Sequence, residues 1–161
     1  MRLFAAIFPP QDVAEKCGQI ATAIKTFHPK AILVKPEKMH LTLRFFGDVE
    51  VARAEALVDA AVEGKSAFDV ALDHVDAFPL RKQARVIFCG AQMPSPLPKL
   101  MASMGQEKPH AHLTIARLPT PRTVKYMHLS PVEFRAEKVV LVNSVLGEGG
   151  VYEIQREWDL S

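Results

Sequence analysis

Cysteine is scarce in this chain. Cys17 and Cys89 are the only two cysteines among 161 residues, which is too few for a disulfide framework. Each lies among apolar neighbours, where a buried reduced thiol is expected. Neither has the electropositive local sequence that activates a thiol as a nucleophile. The cysteines therefore predict a protein of the reducing cytoplasm and argue against thiol catalysis.

Long hydrophobic runs and a strong net charge are also missing. No stretch approaches the ~20 apolar residues of a membrane-spanning helix, and the short apolar start before Pro9 lacks the cleavage site of a signal peptide. The formal net charge is only +2, too small to favour nucleic acid through bulk electrostatics. We expect a soluble, unprocessed protein whose contact with any nucleic acid is local, at an end or a single phosphate.

Signatures of two catalytic classes are absent as well. The chain has no Gly-x-Ser-x-Gly segment, which argues against a serine hydrolase of the nucleophile-elbow type. The glycine-rich segment 146–150 is not followed by the Lys-Ser/Thr of a phosphate-binding loop. We therefore interpret this segment as the turn of a hairpin.

One pattern suggests a metal site, namely the His-x-His pair of His110 and His112. Barrel hydrolases that use such pairs need about 250 residues, and this chain has 161. The segment 108–117 contains no Asp or Glu that could complete a ligand set. The pattern thus argues against a metal. His112, which has a threonine two residues later, is the better catalytic candidate of the two.

The composition is that of an ordinary globular protein, with 48% hydrophobic and 24% charged residues. The length suits one core, or two small lobes that share one. We expect residues 1–161 to form a single domain made of two lobes.

What the chain does contain is a short repeat. His40-Leu41-Thr42-Leu43 is nearly copied as His112-Leu113-Thr114-Ile115. Side chains alternate between the two faces of a strand, so each copy would present one imidazole and one hydroxyl on the same face. The apolar residues between them would face a core. If the two strands are neighbours, two histidines and two threonines meet in a shared cleft.

Apolar spacing predicts the elements before and after the first motif. Residues 3–8 are expected to form a buried strand. A helix is predicted next, with one apolar face formed by Val13, Cys17, Ile20, Ile24 and Phe27. A second helix is predicted after Asp48, which we expect to be its N-cap, and it should end at Gly64.

The second half is expected to repeat this order. Residues 68–78 and 85–89 predict two strands, and His74 shares the parity of Val70 and Leu72, so we expect it to be a structural residue. A helix of two or three turns, with prolines such as Pro94 near its start, is expected between residues 91 and 108. We interpret 120–130 as a loop or short helix, and 139–145 with 151–158 as a hairpin. Each motif strand follows a strand and a helix, which favours a twofold-like architecture.

Two imidazoles beside two hydroxyls suit phosphoryl transfer without a metal. Near neutral pH one imidazole can accept a proton while the other donates one. The hydroxyls of Thr42 and Thr114 could donate to the non-bridging phosphate oxygens. Arg44 lies on the His40 face by parity and could hold a phosphate. Arg117 falls on the opposite face of an ideal strand, so it either reaches the site through a bulge or a strand end, or it forms a surface ion pair.

These residues resemble a known family. The paired His-x-Thr motifs, together with residues 2–7, 35–47 and the tail from Ser144 to Tyr152, are similar to the 2H phosphoesterase superfamily. The details resemble its 2'-5' RNA ligase or RNA 2',3'-cyclic phosphodiesterase branch, the LigT-like proteins. Two positions depart from the family pattern: Ala111 stands where proline is usual, and Lys35 where Trp or Arg is frequent. Both concern the rim of the cleft.

The resemblance implies a fold and an activity. It implies a bilobal, pseudo-twofold α+β fold in which two antiparallel sheets, flanked by helices, surround a central cleft. It implies hydrolysis of a terminal RNA 2',3'-cyclic phosphate to a 2'-phosphate without metal or other cofactor. In such a site His40 would be the proton donor and His112 the acceptor, and a weak ATP-independent 2'-5' ligation would reverse the reaction. Phe46, on the His40 parity, is a candidate for stacking a base, against a packing role.

Two other functions remain open at this point. One is a phosphodiesterase for another cyclic phosphate or a small nucleotide. The other is a module that binds RNA ends without catalysis, although intact histidines and threonines in both motifs argue against it. The expected partners are RNA ends or tRNA fragments that carry a cyclic phosphate. We expect a cytoplasmic monomer without membrane contact.

Overall fold

A computed structural model describes residues 1–92, 95–145 and 150–161. Helices α1, α2 and α3 span Gln11–Phe27, Val51–Val62 and Leu97–Ser103. The strands are β1 Leu3–Ile7, β2 Ile32–Leu33, β3 Leu41–Gly47, β4 Phe68–Phe78, β5 Ala84–Ala91, β6 His112–Arg122, β7 Met127–Ala136, β8 Lys138–Val145 and β9 Val151–Asp159. Short 3-10 turns lie at Pro36–Lys38 and Arg81–Gln83.

The strands form two antiparallel halves that meet at the motif strands. The order across the sheet is β7-β4-β5-β6-β3-β1-β8-β9, with β2 added beside β6. Strands β3 and β6 are joined by the single residue pair Leu41 and Leu113. From this pair outward, β1 flanks β3 as β5 flanks β6. The α+β class and the antiparallel pairing are confirmed, and the predicted two sheets are hydrogen-bonded to each other at this one point.

The main core lies between the helices and one face of the sheet. Alternate residues of β1, namely Leu3, Ala5 and Ile7, join a large buried cluster with residues of all three helices. The remaining residues of β1, Phe4 and Ala6, point to the other face and form a small separate cluster. We call that second face the cleft face. Because the described helices pack on the core face, side chains on the cleft face can form a site.

Three local expectations are wrong. Most of the segment 120–130 is strand and not a loop or short helix, because β6 runs to Arg122 and β7 begins at Met127; the loop is limited to residues 123–126. Asp48 is not the N-cap of α2, which begins after Glu50 without a side-chain cap; Asp48 instead accepts a hydrogen bond from the N-terminal amine at 3.1 Å. Phe27 does not belong to the buried face of α1, since it is 81% exposed.

The remaining elements agree with the sequence. Cys17 and Cys89 are buried free thiols. Strands β8 and β9 pair as a hairpin from Val145 and Val151 onward, while the predicted turn at 146–149 and the predicted position of Pro94 lie outside the described residues. None of the helices in the described ranges has the length and apolar character to cross a membrane.

Candidate active site

Both motif histidines are held by their own backbone. Nδ1 of His40 lies 2.7 Å from the carbonyl oxygen of Lys38, and Nδ1 of His112 lies 2.8 Å from the carbonyl oxygen of His110. A carbonyl oxygen only accepts, so Nδ1 carries the proton in each ring. The same contact to the residue two positions earlier therefore fixes the same tautomer twice. Among the described residues none forms a hydrogen bond with Nε2 of either ring, so both Nε2 atoms are available.

The packing around His40 comes from β1, from the residue that follows it and from β9. Phe4 stacks on the imidazole with ring centroids 4.9 Å apart, and Phe8 lies against it at 5.4 Å. Tyr152 of β9 meets the ring edge-on at 5.7 Å. These apolar contacts fix the ring plane and exclude water from much of its surface.

The packing around His112 comes from β4 and β5. Phe78 and Phe88, at centroid distances of 4.9 and 5.3 Å, meet this imidazole at steep angles. Phe78 and Phe88 also stack on each other. Each catalytic candidate thus has its own aromatic neighbours, which come from β1 and β9 for His40 and from β4 and β5 for His112.

A β-bulge follows each motif threonine. In β3, Thr42 pairs with Ala6 and Arg44 with Ala5, so Leu43 is the extra residue. In β6, Thr114 pairs with Phe88 and Ala116 with Ile87, so Ile115 is the extra residue. A bulge adds one residue and reverses the facing of those that follow. The two halves therefore repeat the bulge as well as the motif.

The two motifs open on one cavity of about 270 Å³. Its walls come from both halves of the sheet, from the 3-10 turn before β3 and from β9. The lining residues are Val34, Lys38, His40, Thr42, Phe78, Val86, His112, Thr114, Arg117 and Tyr152. The structure thus brings both histidines and both threonines together.

The bulges decide which arginine reaches this cavity. Arg117 pairs with Val86 beyond the bulge of β6 and lines the cavity, which is the bulged alternative that the sequence left open. Arg44 is turned to the helix side, where its guanidinium donates to the carbonyl oxygen of Met104 at 3.0 Å. The prediction that Arg44 shares the His40 face is wrong, since the bulge at Leu43 reverses its parity.

The same reversal applies to the phenylalanine candidate. Phe46 packs against the main core and lies under the Arg44 guanidinium, 5.6 Å from the ring centroid. Its predicted position on the His40 face is therefore also wrong. Phe45 takes that face instead, paired with Phe4.

A third bulge moves His74. Asp73 is the extra residue of β4 between Leu72 and His74, so Val75 and Ala77 continue the buried face and His74 turns to the cleft face. The prediction that His74 shares the face of Val70 and Leu72 is wrong for this reason. Its parity with Val70 and Leu72 holds only in an unbroken strand.

Two polar residues of the site were missed from the sequence, as were the apolar lining residues Val34, Phe78 and Val86. Lys38 lines the cavity, donates to the carbonyl oxygen of Gly150 and lies 5.4 Å from the Tyr152 ring centroid. Tyr152 lines the cavity from β9. Lys38 lies two residues before the motif histidine, so its position could have been inferred. Tyr152 is over a hundred residues away in sequence, and only the sheet order places it there.

Burial dominates the electrostatics of both imidazoles. It lowers the pKa of His40 below its ordinary value; the Lys38 carbonyl opposes this effect, and the charges of His112 and Arg117 add to it. Burial likewise lowers the pKa of His112, with the His110 carbonyl opposing and His110 and Arg117 adding. Both rings therefore favour the neutral form in the unliganded protein. An anion bound beside them would favour protonation.

The chemistry of the site follows from these groups. Within the described residues, no cluster of three or more His, Cys, Asp or Glu is arranged to hold a metal ion. The cavity offers two imidazoles with available Nε2 atoms, two hydroxyl donors and a guanidinium. Such a set can bind a phosphate group and move protons on two of its oxygens.

Comparisons with known proteins agree with this geometry. The model of a family described as LigT like phosphoesterase matches residues 7–88, about half of the chain and including the first motif. The chain is 27% identical, over 135 residues, to a Methanothermobacter thermautotrophicus protein named RNA 2',3'-cyclic phosphodiesterase; the match covers 76% of this chain and 73% of that protein.

Solved structures extend the likeness over the whole chain. A structure of TT0787 from Thermus thermophilus superposes with a TM-score of 0.83 at 26% identity and covers 99% of this chain and 98% of the other. A structure of E. coli LigT complexed with ATP gives a TM-score of 0.80 at 26% identity, with 100% and 98% covered. The resemblance drawn from the two motifs is confirmed at the level of the family. The chain belongs to the LigT-like phosphoesterase family.

Proposed function

We propose that this protein is an RNA 2',3'-cyclic phosphodiesterase that hydrolyses a terminal cyclic phosphate to a 2'-phosphate by two-histidine acid-base catalysis. The observation that carries the proposal is the matched pair of imidazoles, each with Nδ1 fixed on a carbonyl oxygen, that open on one cavity. The name of the Methanothermobacter thermautotrophicus relative supports the choice of substrate. We further propose that residues 1–161 act as one domain of two lobes.

His112 is the proton acceptor in this proposal. In its neutral form Nε2 carries a lone pair, because Nδ1–H is donated to the His110 carbonyl. A water molecule beside the phosphorus gives its proton to Nε2 as its oxygen forms the new P–O bond. General base catalysis of this kind contributes about 10²–10⁴-fold.

His40 is the proton donor. In its protonated form the ring keeps Nδ1–H on the Lys38 carbonyl and gives the Nε2 proton to the 3'-oxygen as the P–O3' bond breaks. The product is a 2'-phosphate with a free 3'-hydroxyl. Exchange with solvent then returns both rings to their starting protonation states, so protons balance over one turnover.

Thr42, Thr114 and Arg117 stabilise the charge on the phosphate. The two hydroxyls lie on the same face as the two imidazoles and donate to non-bridging oxygens, where negative charge grows in the transition state. Arg117 adds a charge-assisted hydrogen bond. Its charge lowers the pKa of both His40 and His112, as expected for a cation that faces both rings.

The setting of the reaction follows from the same groups. No step described above requires a metal or another cofactor. The reverse reaction, a weak ATP-independent 2'-5' ligation, would use the same two imidazoles with their roles exchanged. We propose that the protein acts as a cytoplasmic monomer on RNA ends or tRNA fragments with a cyclic phosphate.

The test is a product analysis. The protein is incubated with an RNA oligonucleotide that ends in a 2',3'-cyclic phosphate, with EDTA present, and the position of the product phosphate is determined by NMR or mass spectrometry. The proposal predicts a 2'-phosphate at a rate that EDTA does not change. A 3'-phosphate product, no turnover of the cyclic end, or loss of turnover in EDTA would contradict it.

A further inference from the structure

A row of paired residues leads away from His112 across the cleft face. His112 pairs with Gly90, Gly90 with His74, and His74 with His128. Directly opposed residues on neighbouring strands point to the same face. The row therefore crosses β6, β5, β4 and β7 on one side of the sheet, and a spacing of about 4.8 Å between strands makes it about 15 Å long.

Gly90 has no side chain, and the His74 ring occupies the space that a side chain at this position would need. A side chain at position 90 would collide with the His74 ring, so glycine lets that ring lean over β5 toward His112. Asp73 holds the ring there through a 2.6 Å contact with Nδ1. The bulge at Asp73 is what places His74 on this face.

The outer part of the row is a group of planar side chains. Tyr126 stacks on His74, with ring centroids 5.4 Å apart and 17° between planes. His128 meets Tyr126 edge-on at 5.0 Å, and the Arg81 guanidinium lies 4.9 Å from the Tyr126 centroid. Tyr126 is 37% exposed. The ring centroids of His110 and His112 are 5.4 Å apart, so His110 lies at the catalytic end of the row.

The carboxylates near this group do not oppose an anionic ligand. Asp73 is paired with His74. Asp76 accepts two hydrogen bonds from Arg81, at 2.8 and 3.1 Å, and this contact lowers the pKa of Asp76. The charge of Asp76 is therefore balanced by Arg81, and the Asp73 carboxylate is already engaged by the His74 ring.

We propose that His110, His74, Tyr126, His128 and Arg81 form a subsite for the single-stranded RNA segment that precedes the cyclic phosphate. Unpaired bases stack on Tyr and His rings and on guanidinium planes, and ring N–H and hydroxyl groups can bind 2'-hydroxyls and phosphates. The row begins at His112, where the cyclic phosphate binds. Because that phosphate is the 3' end of the chain, every further nucleotide is 5' to it.

This inference rests on the proposed function and narrows its substrate class. A nucleoside 2',3'-cyclic monophosphate would fill the cavity and leave the row unused. The preferred substrate is therefore an oligonucleotide rather than a mononucleotide.

The first experiment compares kcat/KM for a cytidine 2',3'-cyclic phosphate and for a tetranucleotide with the same end. We expect the unmodified protein to prefer the tetranucleotide. Tyr126→Ala and His128→Ala should each lower kcat/KM for the tetranucleotide about tenfold, the loss of one stacked base, and leave the mononucleotide value unchanged. The mononucleotide rate also shows that each variant is folded.

Met127→Ala is the matched control. Met127 lies between the two test residues, is 41% exposed and pairs with Val75 of the core side, so its removal should change neither substrate. Equal kcat/KM for the two substrates in the unmodified protein would overturn the inference while leaving the proposed function intact. Equal losses on both substrates in the Tyr126 and His128 variants would overturn it too.

A second measurement separates the inference from the proposed function. Fluorescence anisotropy with a tetranucleotide that ends in a 2'-phosphate reports binding without turnover. A Kd that rises about tenfold in Tyr126→Ala and stays the same in Met127→Ala supports the subsite, even if the protein hydrolyses no cyclic phosphate. An unchanged Kd in Tyr126→Ala would overturn it.

Discussion

Arg44 and Arg117 lie on opposite faces of the sheet, although each follows a His-x-Thr motif closely in sequence. The bulges at Leu43 and Ile115 occupy equivalent positions in the two motif strands. Arg44 comes one residue after its bulge, and Arg117 comes two residues after. Equivalent bulges with this one-residue difference place Arg44 against Met104 and Arg117 in the cavity.

The two arginines should therefore respond differently to substitution. Arg117→Ala removes a charge-assisted hydrogen bond worth about 1.5–3 kcal/mol, and we expect kcat/KM for the cyclic end to fall about 10–100-fold. Arg44→Ala should leave kcat/KM within about twofold and lower the free energy of unfolding by about 1 kcal/mol, through the lost bond to Met104. Steady-state kinetics and urea unfolding measure the two effects. Loss of kcat/KM in Arg44→Ala at normal stability would contradict the assignment.

The pH dependence follows from the direction of the two pKa values. Burial lowers the pKa of both His40 and His112, and the free enzyme needs one ring neutral and the other protonated. The plot of kcat/KM against pH should be bell-shaped, with both apparent pKa values belonging to the pair. Its maximum should lie below about pH 6.5, the ordinary histidine pKa. A maximum above pH 7.5 would contradict the burial argument.

The value of kcat should depend on the hydroxyl groups of Thr42 and Thr114 more than on their methyl groups. Thr42→Val and Thr114→Val keep the shape and remove a donor to the phosphate, so we expect kcat to fall about 10–10³-fold. Thr42→Ser and Thr114→Ser keep the hydroxyl and should retain most of the rate. Measured kcat values of the four variants decide this. If the valine variants were as active as the serine variants, the hydroxyls would have no role in catalysis.

Gly90 should be intolerant of even a methyl group. In Gly90→Ala the new Cβ collides with the His74 ring, and overpacking of this kind costs about 1–3 kcal/mol. The double variant Gly90→Ala/His74→Ala should recover most of that loss, since it removes the colliding ring. Urea unfolding of the single and double variants tests this. A Gly90→Ala protein of normal stability would show that His74 does not occupy the space that a side chain at position 90 would need.

Sequence periodicity predicted the two histidines and two threonines of the candidate site and missed their neighbours. Side chains alternate with a period of two, so His40 shares a strand face with Thr42, and His112 with Thr114. The bulges come after the threonines and do not change this, so the four residues were correctly brought together. Arg44, Phe46 and His74 all lie beyond a bulge. The bulged residues are Leu43, Ile115 and Asp73. None of them is a glycine or a proline, which would have signalled a change of register in the sequence.

Strand β7 was missed for another physical reason. It lies at the edge of the sheet, and its sequence contains Pro131, which usually argues against a strand. An edge strand tolerates a proline whose missing N–H faces solvent. Tyr152, in turn, joins the site only through the pairing of β8 with β1 and β9, which no local pattern encodes.

The central claim is that His40 and His112 act as one acid-base unit on the same phosphate. The most direct test measures kcat for His40→Ala, His112→Ala and the double variant on an RNA that ends in a 2',3'-cyclic phosphate. Residues that act as a unit are strongly non-additive. We therefore expect each single variant to lose about 10²–10⁴-fold and the double variant to lose little more. A single variant that keeps full activity, or a double variant whose loss is the product of the two single losses, would contradict the account.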